Sequence, residues 1–209
     1  MQIYKNLKNN KKILLIFGGF ASHFTHFLPF LFSECGVIIL YNYSHLDFRE
    51  LNILLESLQD STIKLISFSM GVFVASEFLR QNSLKCEKIA INGTEAGIHS
   101  EFGIPLKLFR LTHKNFCLES FKQNLFGKFL AKTQDFIFLD YSVLKKELEF
   151  FMQTCKEYER SPILWDLAVI SKQDLIFSSS NQIVFWKQAS VKKILEIDAP
   201  HFAFFTWKF

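Results

Sequence analysis

The stretch Ile63-Lys64-Leu65-Ile66-Ser67-Phe68-Ser69-Met70-Gly71-Val72 predicts a strand, a sharp turn and a helix in succession. The apolar run before Ser69 predicts a buried β-strand, and the amphipathic pattern after it predicts a helix. A serine at a sharp strand-to-helix turn has a strained backbone and needs small residues two positions away on each side. Gly71 fills one of these positions and Ser67 fills the other. The stretch therefore indicates a nucleophile elbow with Ser69 as the nucleophile.

Strands and helices alternate on both sides of this elbow. Short apolar runs predict strands buried on both faces at residues 13–17, 37–41, 63–68, 88–91, 164–170 and 194–197. Helical patterns cover residues 47–58 and 70–79. A serine that only caps a helix would give the same local pattern as an elbow. The alternation adds context, because it predicts a mostly parallel sheet flanked by helices, in which an elbow is expected.

The alternation lapses between about residues 93 and 160, where helix-like stretches follow one another. The clearest is 141–158, with an apolar stripe of Leu144, Leu148, Phe151 and Cys155. We interpret residues 93–160 as a helical cap inserted over the sheet of a single domain that spans residues 1–209. The alternative is that this segment continues the alternation with strands that the pattern does not reveal.

Length and composition narrow the class of protein. A chain of 209 residues suits one domain. The net charge of +4, without a long basic run, argues against a nucleic-acid partner. The four cysteines are scattered with no C-x-x-C spacing, so we expect no metal site. We find neither a secretory signal nor the roughly 18–20 apolar residues that span a bilayer, and we expect a cytoplasmic protein without membrane contact.

Two glycines follow the first confident strand. Gly18 and Gly19 would let the backbone approach a substrate closely, and we predict that both contact it. The N–H groups of Phe20 and Met70 are the predicted pair of oxyanion donors. An ordinary strand-ending turn would also use two glycines.

The remaining catalytic groups are sought by chain order, since α/β hydrolases place the acid and then the histidine after the serine. His201 lies just beyond the last predicted strand and is the predicted general base. Asp174 follows the strand at 164–170 and is the predicted acid that orients the imidazole. Asp198 is a weaker alternative, because it is too close in sequence to His201 to reach round easily.

Together these motifs resemble a known family, the BioG-type pimeloyl-acyl carrier protein methyl ester esterases of biotin synthesis, which have the α/β-hydrolase fold. The matching pieces are residues 14–20, 41–48 and 67–72, and above all Ala90-Ile91-Asn92-Gly93-Thr94 and Phe102-Gly103-Ile104-Pro105. The family usually has Gly or Ala and then Trp before the serine, where this chain has Ser67 and Phe68. The resemblance implies hydrolysis of the methyl ester of pimeloyl-acyl carrier protein through Ser69 and His201, with no cofactor.

The segment interpreted as a cap suits such a substrate. Its phenylalanines could line an apolar channel for a methylene chain, and Phe109 and Phe121 are the predicted substrate contacts among Phe109, Phe116, Phe121, Phe126 and Phe129. Its cations could dock an acidic carrier protein, and we predict the first four of Lys107, Arg110, Lys114, Lys122, Lys128 and Lys132 as docking residues. Any of these cations could instead belong to a solvated helix face. We expect a monomer.

Two other functions fit part of this pattern. One is a broad carboxylesterase or thioesterase that acts on free acyl esters. The other is a noncatalytic α/β-hydrolase relative that binds an acyl ligand or a protein, which the complete set of serine, acid and histidine disfavours.

Overall fold

A seven-stranded sheet forms the centre of the molecule in the computed structural model, which describes residues 1–7, 11–31, 34–155, 158 and 163–208. The strands are β1 (Gln2–Asn6), β2 (Lys12–Phe17), β3 (Gly36–Tyr41), β4 (Thr62–Phe68), β5 (Glu87–Ile91), β6 (Leu167–Ser171) and β7 (Ile194–Ile197). Their order across the sheet is β1-β3-β2-β4-β5-β6-β7. β1 runs antiparallel to β3, and all other neighbours pair in parallel.

The central strands follow from their apolar runs. Alternate residues of β2 point to opposite faces of the sheet, so that Leu15 lies in one apolar core and Leu14 and Ile16 lie in the other. The six predicted strands are confirmed, with boundary shifts of up to three residues in the stretch at 164–170. The prediction that all are buried on both faces is wrong for β7, an edge strand whose residues are only partly buried.

The structure adds β1, which the apolar pattern does not predict. This strand pairs along the whole of β3, with Gln2 opposite Tyr41 and Asn6 opposite Val37. Its side chains are exposed or half-buried. An edge strand covered on one side only needs no apolar run, which is why its polar sequence gave no signal.

Helices cover both faces of the sheet. They are α1 (Arg49–Glu56), α2 (Met70–Gln81), α3 (Leu106–Lys114), α4 (Leu118–Phe126), α5 (Tyr141–Thr154) and α6 (Ser179–Gln188), with short 3-10 helices at Phe24–His26, Leu28–Phe30, Gly127–Lys132 and Ala203–Phe205. In the described part of the chain, none of these helices has both the length and the apolar character needed to cross a bilayer.

The chain between β5 and β6 carries α3, α4 and α5. β5 and β6 pair directly, so the residues described between them add no strand to the sheet at that point. α5 buries the predicted stripe through Leu144, Leu148 and Phe151 and ends at Thr154. Residues 156 and 157 of the helix predicted at 141–158 lie outside the described residues, as do residues 159–162. The interpretation of residues 93–160 as a cap stays a prediction.

Four non-glycine residues with left-handed backbones lie along one edge of the sheet. They are Ala21, Asn42, Ser69 and Asn92, with φ of 58°, 52°, 56° and 50°. Asn42, Ser69 and Asn92 directly follow β3, β4 and β5, and Ala21 comes four residues after the end of β2. Such conformations persist where the surrounding structure holds them, and they gather at functional sites. The carboxyl ends of the strands are therefore where the site is sought, as in other parallel α/β sheets.

Candidate active site

Ser69 stands at the sharp turn between β4 and α2. Its φ of 56° and ψ of −128° are strained for a residue with a side chain, and its N–H donates to the Ile91 carbonyl at 2.8 Å. The turn is closely packed: a Cβ on Gly71 would lie 2.2 Å from the Phe17 carbonyl oxygen, and one on Gly93 would lie 2.2 Å from the Ser69 carbonyl oxygen. Only glycine fits at both positions, so the sequence around Ser69 is shaped to present its hydroxyl.

Ser67 occupies the small-residue position before the elbow without disturbing it. Its side chain is fully buried in β4, and its hydroxyl donates to the Ile89 carbonyl at 3.1 Å. Because a buried hydroxyl costs free energy only when it lacks a partner, serine is accommodated at this position.

Two hydrogen bonds connect the three predicted catalytic residues. The Nε2 atom of His201 lies 2.8 Å from Ser69 Oγ, and its Nδ1 atom lies 2.7 Å from Asp174 Oδ2. An imidazole that donates from Nδ1 to the carboxylate leaves Nε2 to accept the serine proton. The alternative acid, Asp198, is exposed and instead accepts a hydrogen bond from Gln173 Nε2 at 2.7 Å.

Asp174 is held by further donors. Its Oδ1 atom accepts the backbone N–H groups of Ile176 at 2.9 Å and Phe177 at 2.8 Å, and its Oδ2 atom also accepts from Gln182 Nε2 at 3.2 Å. Because both oxygens are engaged and the side chain is fully buried, the orientation of the carboxylate toward His201 is fixed. Gln182 gave no signal in the sequence, since a polar residue on a helix is ordinarily exposed.

Asn92 is a second residue that the sequence did not reveal as part of the site. It is buried, and its Nδ2 atom donates to the His201 carbonyl at 2.5 Å and to Ser171 Oγ at 2.8 Å. Its Oδ1 atom accepts the Ser171 N–H at 2.7 Å. One amide thereby ties the segment of His201 to the ends of β5 and β6. The sequence feature that could have identified Asn92 is its position directly after a predicted strand, because asparagine tolerates a left-handed backbone.

The two predicted oxyanion donors lie on the wall of the cavity beside Ser69. The Phe20 N–H has no hydrogen-bond acceptor among the residues that the structure describes. Met70 is the first residue of α2, where helical hydrogen bonding leaves the N–H groups without a partner. Two N–H groups on the wall of the same cavity, without a hydrogen-bond partner in the described part of the chain, are what an oxyanion hole requires.

Gly18 and Gly19 lie in the loop that leads from β2 to Phe20. Gly18 and Gly19 are not among the residues that line the cavity beside Ser69, and their role as substrate contacts stays a prediction. A Cβ on Gly19 would lie 2.7 Å from the Cβ of Ser69, and one on Gly18 would lie 2.9 Å from the Cβ of Ser22. The glycines allow the loop of Phe20 to pack closely against the turn of Ser69.

An apolar cavity of about 430 Å³ opens beside Ser69. Its wall includes three of the predicted aromatic residues, Phe109, Phe116 and Phe121, together with Ile104 and Leu148. Phe126 and Phe129 were also predicted to line the channel, and this is wrong. Neither lines the cavity: the Phe126 ring packs against Phe202 with centroids 5.3 Å apart, and the Phe129 ring packs against Phe205 with centroids 5.1 Å apart.

Three of the predicted docking cations are exposed on α3, and we call them the basic stripe: Lys107, Arg110 and Lys114. Lys122 differs from the prediction. It is half-buried, its ammonium pairs with Glu119 at 3.2 Å, and it lies 5.0 Å from the centre of the Phe138 ring. Lys128 and Lys132 lie over the Phe129 ring. Lys122 is therefore engaged within the protein, whereas no ion pair involves the basic stripe in the part of the chain described.

A serine, a histidine and a carboxylate joined by hydrogen bonds, with two N–H groups beside an apolar cavity, form an arrangement that suits acyl transfer at an ester carbonyl. In the described residues, no cluster of three or more His, Cys, Asp or Glu side chains could hold a metal ion.

The fold and this site define the class of protein as an α/β hydrolase. Among solved structures with this fold, an esterase from Exiguobacterium antarcticum superposes with a TM-score of 0.70 at 13% identity, covering 97% of this chain and 89% of that one. The family model described as pimeloyl-ACP methyl esterase BioG matches residues 3–209, and the chain belongs to this family.

The chain is also similar to two further proteins. The crystal structure of selenomethionine BioG from Haemophilus influenzae has a TM-score of 0.86 at 24% identity, covering 99% of this chain and 96% of that chain. A Bacteroides fragilis protein named malonyl-[acyl-carrier protein] O-methyltransferase is 32% identical over 200 residues, which is 92% of this chain. The chain spans only 40% of the length of that relative.

Proposed function

We propose that the protein is a serine carboxylesterase that hydrolyses the methyl ester of pimeloyl-acyl carrier protein, releasing methanol and the carrier-bound acid. The observation that carries the proposal is the hydrogen-bonded series of Asp174, His201 and Ser69 beside an apolar cavity. Membership of the pimeloyl-ACP methyl esterase family supports the choice of ester.

In the first half of the reaction, Ser69 Oγ attacks the carbonyl carbon of the methyl ester while His201 Nε2 takes the hydroxyl proton. The negative charge that develops on the carbonyl oxygen is stabilised by the N–H groups of Phe20 and Met70. The bond to the methoxy oxygen then breaks, and the imidazolium of His201 returns the proton to it, so that methanol leaves. Asp174 keeps the imidazole oriented throughout.

In the second half, water enters where methanol left. His201 removes a proton from the water, whose oxygen attacks the acyl carbon bound to Ser69. The bond to Ser69 Oγ breaks, the serine recovers its proton from His201, and the free carboxyl group of the acyl chain is released. Serine and histidine return to their starting protonation states, so no co-reactant besides water is needed.

The wall of the cavity suits an acyl chain attached to a carrier. We propose that α3, α4 and α5 belong to a cap whose side chains Phe109, Phe116, Phe121 and Leu148 contact the methylenes. Toward solvent the wall becomes polar through Thr112, Asn115, Ser120 and Asn124, all exposed. These groups can hydrogen-bond the amides of the arm that joins an acyl chain to its carrier protein.

The basic stripe on α3 supports a protein partner. α3 also places Leu108 and Leu111 on the cavity wall, where they are 55% and 54% exposed. Because an α-helix has 3.6 residues per turn, the basic stripe lies on the helix surface next to these leucines. An acidic carrier protein docked on the stripe would deliver its acyl chain into the adjacent cavity, because charge complementarity steers the encounter.

The name of the Bacteroides fragilis relative supports a carrier-bound methyl ester as the substrate class. Transfer of a methyl group to a carboxylate oxygen of a carrier-bound acid creates a methyl ester. The proposed reaction removes the methyl group from such an ester after the acyl chain has grown.

The test is demethylation of pimeloyl-acyl carrier protein methyl ester by the purified protein, followed by intact mass spectrometry. The same assay is run with Ser69→Ala and with the free methyl ester. We expect loss of one methylene mass only with the active serine, and faster on the carrier-bound ester. Equal turnover of both esters would favour a broad esterase. Failure to turn over either ester, with no labelling of Ser69 by a fluorophosphonate probe, would refute the proposal in favour of a binding protein.

A further inference from the structure

A carboxylate from α5 reaches the turn that carries Phe20. Glu147 is 1% exposed, its Oε2 atom accepts the Ala21 N–H at 3.0 Å, and its Oε1 atom accepts the Tyr43 N–H at 2.9 Å. Ala21 belongs to the loop after β2, and Tyr43 belongs to the loop after β3. One side chain on α5 therefore connects the helix to two loops at the carboxyl edge of the sheet.

The turn itself has an unfavourable backbone. The Ser22 N–H donates to the Gly19 carbonyl at 3.2 Å, which closes a four-residue turn with Phe20 and Ala21 at its centre. Ala21 has a φ of 58°, and a left-handed third residue is the mark of a type II turn, in which glycine is preferred. An alanine in this conformation costs about 1–2 kcal/mol.

A type I turn would remove that cost. The two turn types differ mainly by rotation of the middle peptide, here the one between Phe20 and Ala21, and the third residue of type I has a φ near −90° that alanine readily adopts. In the observed turn the Ala21 N–H points to Glu147 Oε2. The carboxylate supplies the acceptor that favours the strained form over the relaxed one.

We propose that Glu147 is a positioning residue for the oxyanion hole, because it holds the turn that sets the place of Phe20. This inference rests on the proposed function, in which the Phe20 N–H is an oxyanion donor. The Phe20 ring also packs at 5.4 Å and 5.2 Å from the rings of Phe116 and Phe121 on the cavity wall. Loss of the Glu147 acceptor would release both the N–H donor and this part of the wall.

The burial of Glu147 without a cationic side chain fits such a role. Among the described residues no Lys, Arg or His pairs with it, whereas the buried Glu95 pairs with Arg80 at 3.1 Å and accepts from Trp165 Nε1 at 2.7 Å. A buried carboxylate without a salt bridge is costly, and an apolar residue of similar size would commonly be no less stable. Glu95 therefore provides a matched control, as a buried glutamate with partners away from the turn.

The kinetic test compares Glu147→Gln with Glu95→Gln on a short p-nitrophenyl ester. Glutamine has one acceptor oxygen, so one of the two N–H groups loses its partner. We expect kcat per active serine, counted by fluorophosphonate titration, to fall about 10–100-fold in Glu147→Gln with KM within about threefold, since loss of a whole oxyanion donor costs about 10²–10³. Glu95→Gln should keep kcat per site within about twofold. Because kcat is expressed per titrated serine, a lower value reflects slower turnover by folded enzyme and not a smaller amount of folded enzyme.

A second variant tests the turn directly. Glycine tolerates the left-handed backbone without cost, so Glu147→Gln should lower kcat at least threefold less in an Ala21→Gly background than in the wild-type background. An equal loss in both backgrounds, or a kcat per site that Glu147→Gln leaves unchanged, overturns the inference.

A structural readout keeps the two proposals separable. Amide hydrogen exchange of a peptide covering residues 18–23 should be at least tenfold faster in Glu147→Gln and unchanged in Glu95→Gln. If the wild-type protein hydrolyses no ester, the proposed function fails while exchange still decides whether Glu147 holds the turn. Exchange equal to wild type in Glu147→Gln would overturn the positioning role whatever the activity.

Discussion

The stability of the protein should depend on pH through Glu147. Burial raises the pKa of this carboxyl group from its ordinary 4.5 to about 7, although the backbone N–H groups of Tyr43 and Ala21 and the charged amino terminus act in the opposite direction. Since each unit in a pKa is worth about 1.4 kcal/mol, the rise corresponds to about 3 kcal/mol of folding free energy. The substitution Glu147→Gln removes this contribution, because a glutamine side chain cannot ionise.

The sign follows from proton binding. Between pH 4.5 and about 7 the folded protein keeps Glu147 protonated, whereas the unfolded chain has released that proton. The folded state binds more protons in this window, so the contribution of Glu147 to stability falls as pH rises. Below pH 4.5 both states are protonated and the difference disappears. The free energy of unfolding of Glu147→Gln should therefore increase relative to that of the wild type by about 3 kcal/mol from pH 4.5 to 7.5.

The assay is urea unfolding of both proteins across this pH range, with linear extrapolation to water. The amino terminus and the Tyr43 hydroxyl, which also interact with Glu147, are present in both proteins, so the difference between them isolates the carboxyl group. Glu149→Gln, an exposed position on the same helix, is the control and should change stability by no more than about 0.5 kcal/mol at any pH. If the difference in unfolding free energy between the wild type and Glu147→Gln does not change with pH, or changes in the opposite direction, Glu147 does not have a raised pKa in the folded protein.

Three further predictions concern the site and its partner. Asp174→Asn should lower kcat by about 10⁴ because the imidazole takes the wrong tautomer, whereas Asp198→Asn should keep near wild-type turnover; the reverse result would contradict the assignment of the acid. Asn92→Ala should lower the free energy of unfolding by about 1–3 kcal/mol by leaving buried groups without partners, and should reduce kcat per titrated serine because the segment of His201 is released; unfolding and turnover that match the wild type would show that Asn92 holds nothing essential. Reversing the three charges of the basic stripe should lower kcat/KM at least tenfold on the carrier-bound ester at low salt and leave a p-nitrophenyl ester unaffected; an equal loss on both esters would argue against docking.

Local patterns were sufficient for most of the sheet. Buried parallel strands are continuous apolar runs, so the runs that became β2, β3, β4 and β5 located these strands to within a residue. β1 was missed because an edge strand exposes much of its surface and can be polar, and β7 was placed correctly but is less buried than predicted. Strand positions depend on local sequence, whereas burial depends on what the rest of the chain packs against them.

The candidate site likewise contains residues that the sequence predicts and residues that it does not. Ser69, Asp174 and His201 were chosen from chain order and strand ends, and they lie in hydrogen-bond contact. Asn92 and Glu147 were missed, since each acts through contacts with residues more than 75 positions away in the chain that no periodicity can reveal.

The aromatic residues of the predicted cap show a related limit. Phe121 and Phe126 lie on one helix, yet Phe121 lines the cavity and Phe126 packs against Phe202. A hydrophobic pattern identifies the apolar positions of a helix, but it does not distinguish a surface that contacts a ligand from one that contacts the core.

The left-handed residues at the carboxyl edge of the sheet imply a trade-off between thermal stability and catalytic activity. Each non-glycine residue held in such a conformation costs about 1–3 kcal/mol, and one of them is Ser69 itself. Replacing Ser69 by glycine should relax the backbone and raise the melting temperature while removing the proposed nucleophile. A search for thermostable variants that ignored activity would therefore favour a change at Ser69, and the heat resistance gained there would come at the expense of turnover.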